Sequence, residues 1–93
     1  MSRRTFAKTP AEILDYGWDW SGLLGSETLS SSTWIIDAGI DDITQSNDDD
    51  SSAVWLSGGI IGGLHQITNI VIDTAGRKIS RTFWLRIVEV RTA

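Results

Sequence analysis

His65 is the only imidazole in this 93-residue chain, so any nucleophilic chemistry that needs a histidine base has one place to be. A Ser-His-Asp arrangement could draw on any of eleven serines, but no GxSxG elbow presents one, and His65 falls where a strand begins. A structural histidine with its polar atoms satisfied is the plainer reading. The carboxylates Asp37, Asp41, Asp42, Asp48, Asp49 and Asp50 could gather a hard cation, since calcium takes six to eight oxygen ligands. Their spacing lacks the alternating acids, central glycine and distal Glu of an EF-hand, and reads instead as solvated loop charge or as an acidic face for a basic partner. The glycines of SGGIIGG, 57–63, fit neither the P-loop nor the dinucleotide pattern and are read as a turn. With no cysteine, thiolate metal sites and disulfides are excluded. No catalytic residue, metal or cofactor is predicted.

The elements that would position these residues are strands. Ile, Val, Thr, Trp, Tyr and Phe supply 33 residues against six Ala and three Glu, a strand-forming mixture. Leu14, Tyr16, Trp18 and Trp20 alternate with Asp15, Gly17 and Asp19, which marks a first strand over 12–21. Further strands are predicted over 27–36, 40–46, 53–57, 64–74 and 78–91, with the last two joined as a hairpin by Ala75-Gly76-Arg77. Residues 1–11 read as a basic extended arm containing the only proline, and 12–93 as an all-β domain of about six to seven antiparallel strands. An immunoglobulin-like β-sandwich is the expected architecture, with a small closed barrel as the alternative.

Charge is unevenly placed. All eight cations lie at Arg3, Arg4 and Lys8 or from Arg77 onward, whereas 9–76 hold eleven of the twelve carboxylates, for a net charge of -4. An acidic chain argues against nucleic-acid binding, and no apolar run approaches the roughly 20 residues of a membrane helix. A soluble, unprocessed chain is expected. Five tryptophans exceed what so small a core needs; Trp34 and Trp55, within strand patterns, are read as core.

Parity assigns the remaining apolar residues to faces. In the last strand Phe83, Leu85 and Ile87 share one face, which leaves Trp84, Arg86 and Val88 on the other. On its neighbour Ile67, Asn69 and Val71 oppose Ile70 and Ile72, and Ile35 opposes Trp34 and Ile36. Both sets cannot face one core. Either another chain covers the second face, or a twisted sandwich edge or the arm covers it internally. The interface candidates are therefore Ile70, Ile72, Trp84, Arg86, Ile35 and the arm cations Arg3 and Arg4.

From about residue 10 to 90 the order of blocks resembles a family of small tailed-phage virion proteins described as fibre-tail adaptors. Asp15-Tyr16 and Asp19-Trp20-Ser21 match its opening, Ser32-Thr33-Trp34 its second block, and 54–59 its VWLSGG turn. Thr68-Asn69, Gly76-Arg77, Arg81, Phe83, Leu85 and Ile87 match its final hairpin. Ile70, Ile72 and Trp84 stand where the family pattern is usually polar, and His65 where it usually has Tyr. The resemblance implies a structural role in the virion, at the tail or head-tail connector. It also implies contacts with other phage tail, connector or fibre proteins, in copies arranged as a symmetric ring. Capsid decoration and carbohydrate binding are the rival readings.

Overall fold

From Phe83 to Ile87 every second side chain is apolar and fully buried: Phe83, Leu85 and Ile87 are shielded while Arg86 is exposed. The structure is a computed structural model that describes residues 4–89. Seven strands appear among these residues: β1 Thr5–Lys8, β2 Leu14–Asp19, β3 Leu29–Ile36, β4 Ile40–Asn47, β5 Ser51–Gly58, β6 Leu64–Asp73 and β7 Lys78–Ile87. They form two sheets, in the order β1-β7-β6-β3 and β2-β5-β4. The expectation of an all-β chain holds, and the six predicted strands are β2 to β7.

Two local features differ from the expectation. Residues 5–8, placed in an arm, form β1, which pairs with β7 in parallel, so the larger sheet is mixed rather than antiparallel throughout. Between β2 and β3, where only turns were expected, lies a single helical turn, α1 Ser21–Leu24, which drops Leu24 into the core. Asp19 turns the chain there by accepting the Ser21 amide at 3.0 Å.

The sheets pack face to face through two joined clusters. Trp34, Ile67, Phe83, Leu85 and Ile87 from the larger sheet meet Ile40, Val54 and Leu56 from the smaller. A second cluster gathers Trp20, Leu24, Leu29 and Val71. Each fully buried side chain of this size stabilises by about 1.5–3 kcal/mol relative to exposure. Trp34 is core as expected. Trp55 is not: its neighbours Val54 and Leu56 both point inward, so strict alternation turns Trp55 to the outer face, where it is 42% exposed.

The residues that carry the family resemblance hold the fold together. Trp20 Nε1 donates to Asn69 Oδ1 at 3.0 Å and to Ser52 Oγ at 3.2 Å, while Asn69 Nδ2 donates to Ser32 Oγ and the Thr33 carbonyl, both at 3.0 Å. One buried node thereby joins both sheets. In the β6–β7 hairpin Gly76 takes φ +89°, and Asp73 accepts the Ala75 amide at 3.0 Å, the Arg77 amide at 2.8 Å and Arg77 Nε at 2.7 Å. Burial pushes the Asp73 carboxyl upward, but these amides and the guanidinium outweigh it and hold it below the usual range. Gly59, at φ +107°, lies so close to Ile87 that an added Cβ would fall 2.6 Å from its Cδ1.

Candidate docking surfaces

Alternation along β3, β6 and β7 assembles one outer face on the larger sheet. Across it the register sets Ile35 beside Thr68 and Thr82, Thr33 beside Ile70 and Ser80, Ser31 beside Ile72 and Lys78, and Leu64 beside Arg86. Ile35 is 55% exposed, Ile72 and Arg86 are also exposed, and Ile70 and Trp84 are half-buried. Thr68 and Thr82 share a hydroxyl hydrogen bond of 2.9 Å at its middle. Five of the predicted interface residues, Ile35, Ile70, Ile72, Trp84 and Arg86, thus lie on one surface. β1 does not cover it, because that strand extends the sheet sideways: the Arg4 and Lys8 carbonyls accept the Trp84 and Val88 amides at 2.8 and 2.9 Å.

Arg4 is placed elsewhere. Its guanidinium lies 5.2 Å from the centre of the Trp18 ring, in a cleft of about 240 Å³ lined by Phe6, Asp15, Tyr16, Trp18 and Phe83 at the edge between β1 and β2. Arg3 lies outside the described residues. The Tyr16 hydroxyl and Trp18 Nε1 are buried there without a hydrogen-bond partner, and burial, with Glu12 and Asp15 nearby, raises the Tyr16 pKa.

A second surface was not anticipated from sequence. The turn between β5 and β6 presents Ile60 and Ile61 to solvent at 76% and 52% exposure, the first being the most exposed of the large apolar residues described. The turn is tied down rather than loose: Gly62 N donates to the Ile87 carbonyl, Ile87 N to the Gly63 carbonyl and Gly63 N to the Ile60 carbonyl, each at 2.9 Å. Beside it runs an open groove of about 700 Å³ whose lining includes Ile61, Leu64, Arg86 and Val88. The sequence signal was present in the isoleucine pair itself, which no strand could bury, but the flanking glycines drew the reading toward turn formation alone.

The residues weighed for chemistry have other work. His65 is wedged between Gly39 and Gly63, and its buried Nε2 lacks a partner, contrary to the satisfied histidine expected. Asp48 caps the β4–β5 turn, accepting the Ser51 hydroxyl at 2.7 Å and the Ser51 and Asp50 amides at 2.9 and 3.2 Å, which lowers its pKa. The carbonyls of Asp49 and Asp50 accept the Leu29 and Trp20 amides, both at 2.8 Å. Among the described residues no three histidine or acidic side chains converge as a metal cluster would require.

A small two-sheet domain whose polar constellations maintain its fold, and whose outward features are apolar and charged faces, has the make-up of a structural protein. The sequence matches the model of the family described as podophage GP4 fiber-tail adaptor protein gp77 over residues 8–86, and the chain belongs to that family. No curated protein matches it. Membership makes the chain a bacteriophage structural protein of the virion tail, and an adaptor's role is not a catalytic one. The matched segment begins at Lys8 and ends at Arg86, so it takes in β2 to β7 but for the last residue of β7.

Proposed function

We propose that the chain links fibre to tail through protein-protein contacts alone, using the outer face of the larger sheet and the Ile60-Ile61 tip. The observation that carries this reading is the exposure of Ile35, Ile60, Ile61, Leu64 and Ile72, since large apolar side chains left to solvent in such number mark association sites. Trp84 and Arg86 belong to the residue types that dominate binding energy at such sites. Fibre, tail and connector proteins are the partners, and the copies repeat around the ring set by the connector.

The scaffold on this reading is an immunoglobulin-like sandwich. Strands β3-β6-β7 and β2-β5-β4 follow the order of the CFG and BED sheets of that fold, with β1 added beside the last strand. Residues 1–11 serve as the arm and 12–93 as the sandwich, with Lys8 marking where the arm is fastened.

Ile60→Asp combined with Ile61→Asp, and separately Trp84→Ala, are expected to leave unfolding free energy within about 1 kcal/mol of the parent, because neither site is a filled core position. Incorporation into assembled particles should fall by about tenfold or more in each, as loss of a central anchor costs upwards of 1 kcal/mol. Quantitative immunoblots of purified virions against the purified domain's melting curve make the measurement. Normal incorporation of both variants would sink the proposal, and glycan binding abolished by Trp84→Ala would replace it with the carbohydrate reading.

A further inference from the structure

The two outer faces of the sandwich carry opposite charge. On the larger sheet, the outward positions of the described strands hold Lys78 and Arg86 and no carboxylate; Asp37, in the turn after β3, accepts the Gln66 amide at 3.0 Å at the margin. On the smaller sheet, Asp15 stands directly across from Trp55, Asp19 from Ser51 and Asp41 from Ser57, with no cation among the outward positions. Among the described residues none of these charges stands in a salt bridge, although Arg4 lines the same cleft as Asp15 and Glu89 the same groove as Arg86. Among the described residues the salt bridge is Arg77 with Asp73, at the far hairpin.

Each charged face also carries an apolar anchor or its counterpart. Trp55 rises at the centre of the acidic face, with Gly17 diagonal to it on β2. No side chain could replace that hydrogen without cost, because a Cβ on Gly17 would lie 2.8 Å from the Ser52 carbonyl. The flank of the indole is left open. On the basic face the low hydroxyls of Thr33, Thr68 and Thr82 lie among Ile35 and Ile70, a shallow apolar ground suited to a flat ring.

We infer that the occupant of the larger sheet's outer face is a second copy of this chain, seated through the acidic, Trp55-bearing face of that copy's smaller sheet. This rests on the docking reading above and names the partner of that face. Trp55 packs over Ile35 and Ile70, while Asp15 and Asp41 approach the cations of the neighbour. The two faces point away from one another, so each copy gives its acidic face to one neighbour and its basic face to the next. Such a contact is head-to-tail, and it closes into a ring when successive copies are inclined, or runs on as a filament when they are not. The Ile60-Ile61 tip, whose groove shares Arg86 with this face, lies at the margin of the contact and meets the unlike partner there.

Charge swaps separate this assignment from other occupants. The purified chain is expected to self-associate in sedimentation runs between roughly 0.01 and 1 mM, and more weakly in about 0.5 M salt, where exposed charges are screened beyond about 4 Å. Trp55→Ala, Asp15→Lys with Asp41→Lys, and Lys78→Glu with Arg86→Glu should each sediment as monomers with unchanged melting curves. Mixing the two charge-swapped proteins should restore association, because every contact then again joins opposite signs. A parent chain that stays monomeric throughout, or charge-swapped proteins that associate alone as well as the parent does, overturns the assignment. A monomeric parent whose Trp84→Ala form is lost from particles would keep the docking reading and give that face to a different protein.

Discussion

Replacing Trp20 by Ala is expected to remove about 4–5 kcal/mol of folding free energy, near the upper end of what truncating a buried aromatic costs. A domain of this size has roughly 5–14 kcal/mol in all, so the substitution removes from about a third to nearly all of its stability. Two effects combine. The indole is almost fully buried against Leu24, Leu29 and Val71, and its N–H is shared between Asn69 Oδ1 and Ser52 Oγ. Trp20→Phe isolates the second effect: the ring volume is mostly kept, but two buried oxygens lose a donor, for a cost of about 2–3 kcal/mol. Pairing Trp20→Phe with Asn69→Ala in a double-mutant cycle should show a coupling above about 1 kcal/mol, since both residues belong to one network. Urea unfolding followed by tryptophan fluorescence reads all three. Additive effects would mean that the node is packed but not energetically joined.

The second large effect is expected at Lys8. Its side chain is fully buried, and Nζ donates to the Gly58 carbonyl at 2.6 Å, to Thr9 at 2.8 Å and, at longer range, to Pro10 at 3.5 Å. Lys8→Met keeps much of the stem but takes the charged donor from the Gly58 carbonyl and leaves the Thr9 carbonyl with the Glu12 amide at 3.2 Å, a loss of about 1.5–3 kcal/mol that relief of the ammonium's desolvation only partly offsets. The loss should be local as well as global: hydrogen exchange at the Val88 and Trp84 amides, which bond to Lys8 of β1 and to Arg4 just before it, should speed up more than at Val71 in the centre of the sheet. Equal acceleration everywhere would mean that β1 is no separate unit. The pH dependence has a definite sign. Burial lowers the Lys8 pKa from its ordinary 10.5, against a smaller opposing pull from Glu12. The unfolded chain then holds the proton more tightly, so this residue's contribution to stability rises with pH between the folded and unfolded values and is flat below the folded one. In Lys8→Met that alkaline rise should vanish.

Most of the fold could be read from the chain because alternation is strong where a strand has one buried face. Leu14 to Asp19 and Phe83 to Ile87 are half-buried strands in pattern and in fact, and Gly76 marks its hairpin through a positive φ that other residues resist. β1 escaped because TFAK has no alternation to read; it is held by a parallel ladder and by the Lys8 ammonium, both tertiary. Trp55 was assigned to the core because it lies within a strand pattern, although Val54 and Leu56 on either side had already claimed the inner face. The interface candidates came from parity, which is why Ile35, Ile70, Ile72, Trp84 and Arg86 fall on one surface. Arg4 was chosen for charge alone, and its place over Trp18 is set by packing that no local pattern encodes. The same holds for Ile60 and Ile61, whose exposure follows from the hydrogen bonds between Gly62, Gly63 and Ile87.

The uneven charge acquires a spatial meaning in the folded chain. Cations from the last hairpin lie on the outer face of one sheet and carboxylates from β2 and β4 on the outer face of the other, so the sequence asymmetry becomes a polarity across the thickness of the domain. A net charge of -4 says nothing of this.

A cryo-EM reconstruction of intact particles, refined around the tail without imposing the capsid's symmetry, tests the adaptor account most directly. The account predicts density for this chain between the tail and its fibres, with Ile70 and Trp84 covered by protein and the Ile60-Ile61 tip seated against an unlike partner. Density on the capsid surface instead, or a tail-bound chain whose larger sheet faces open solvent, would contradict it.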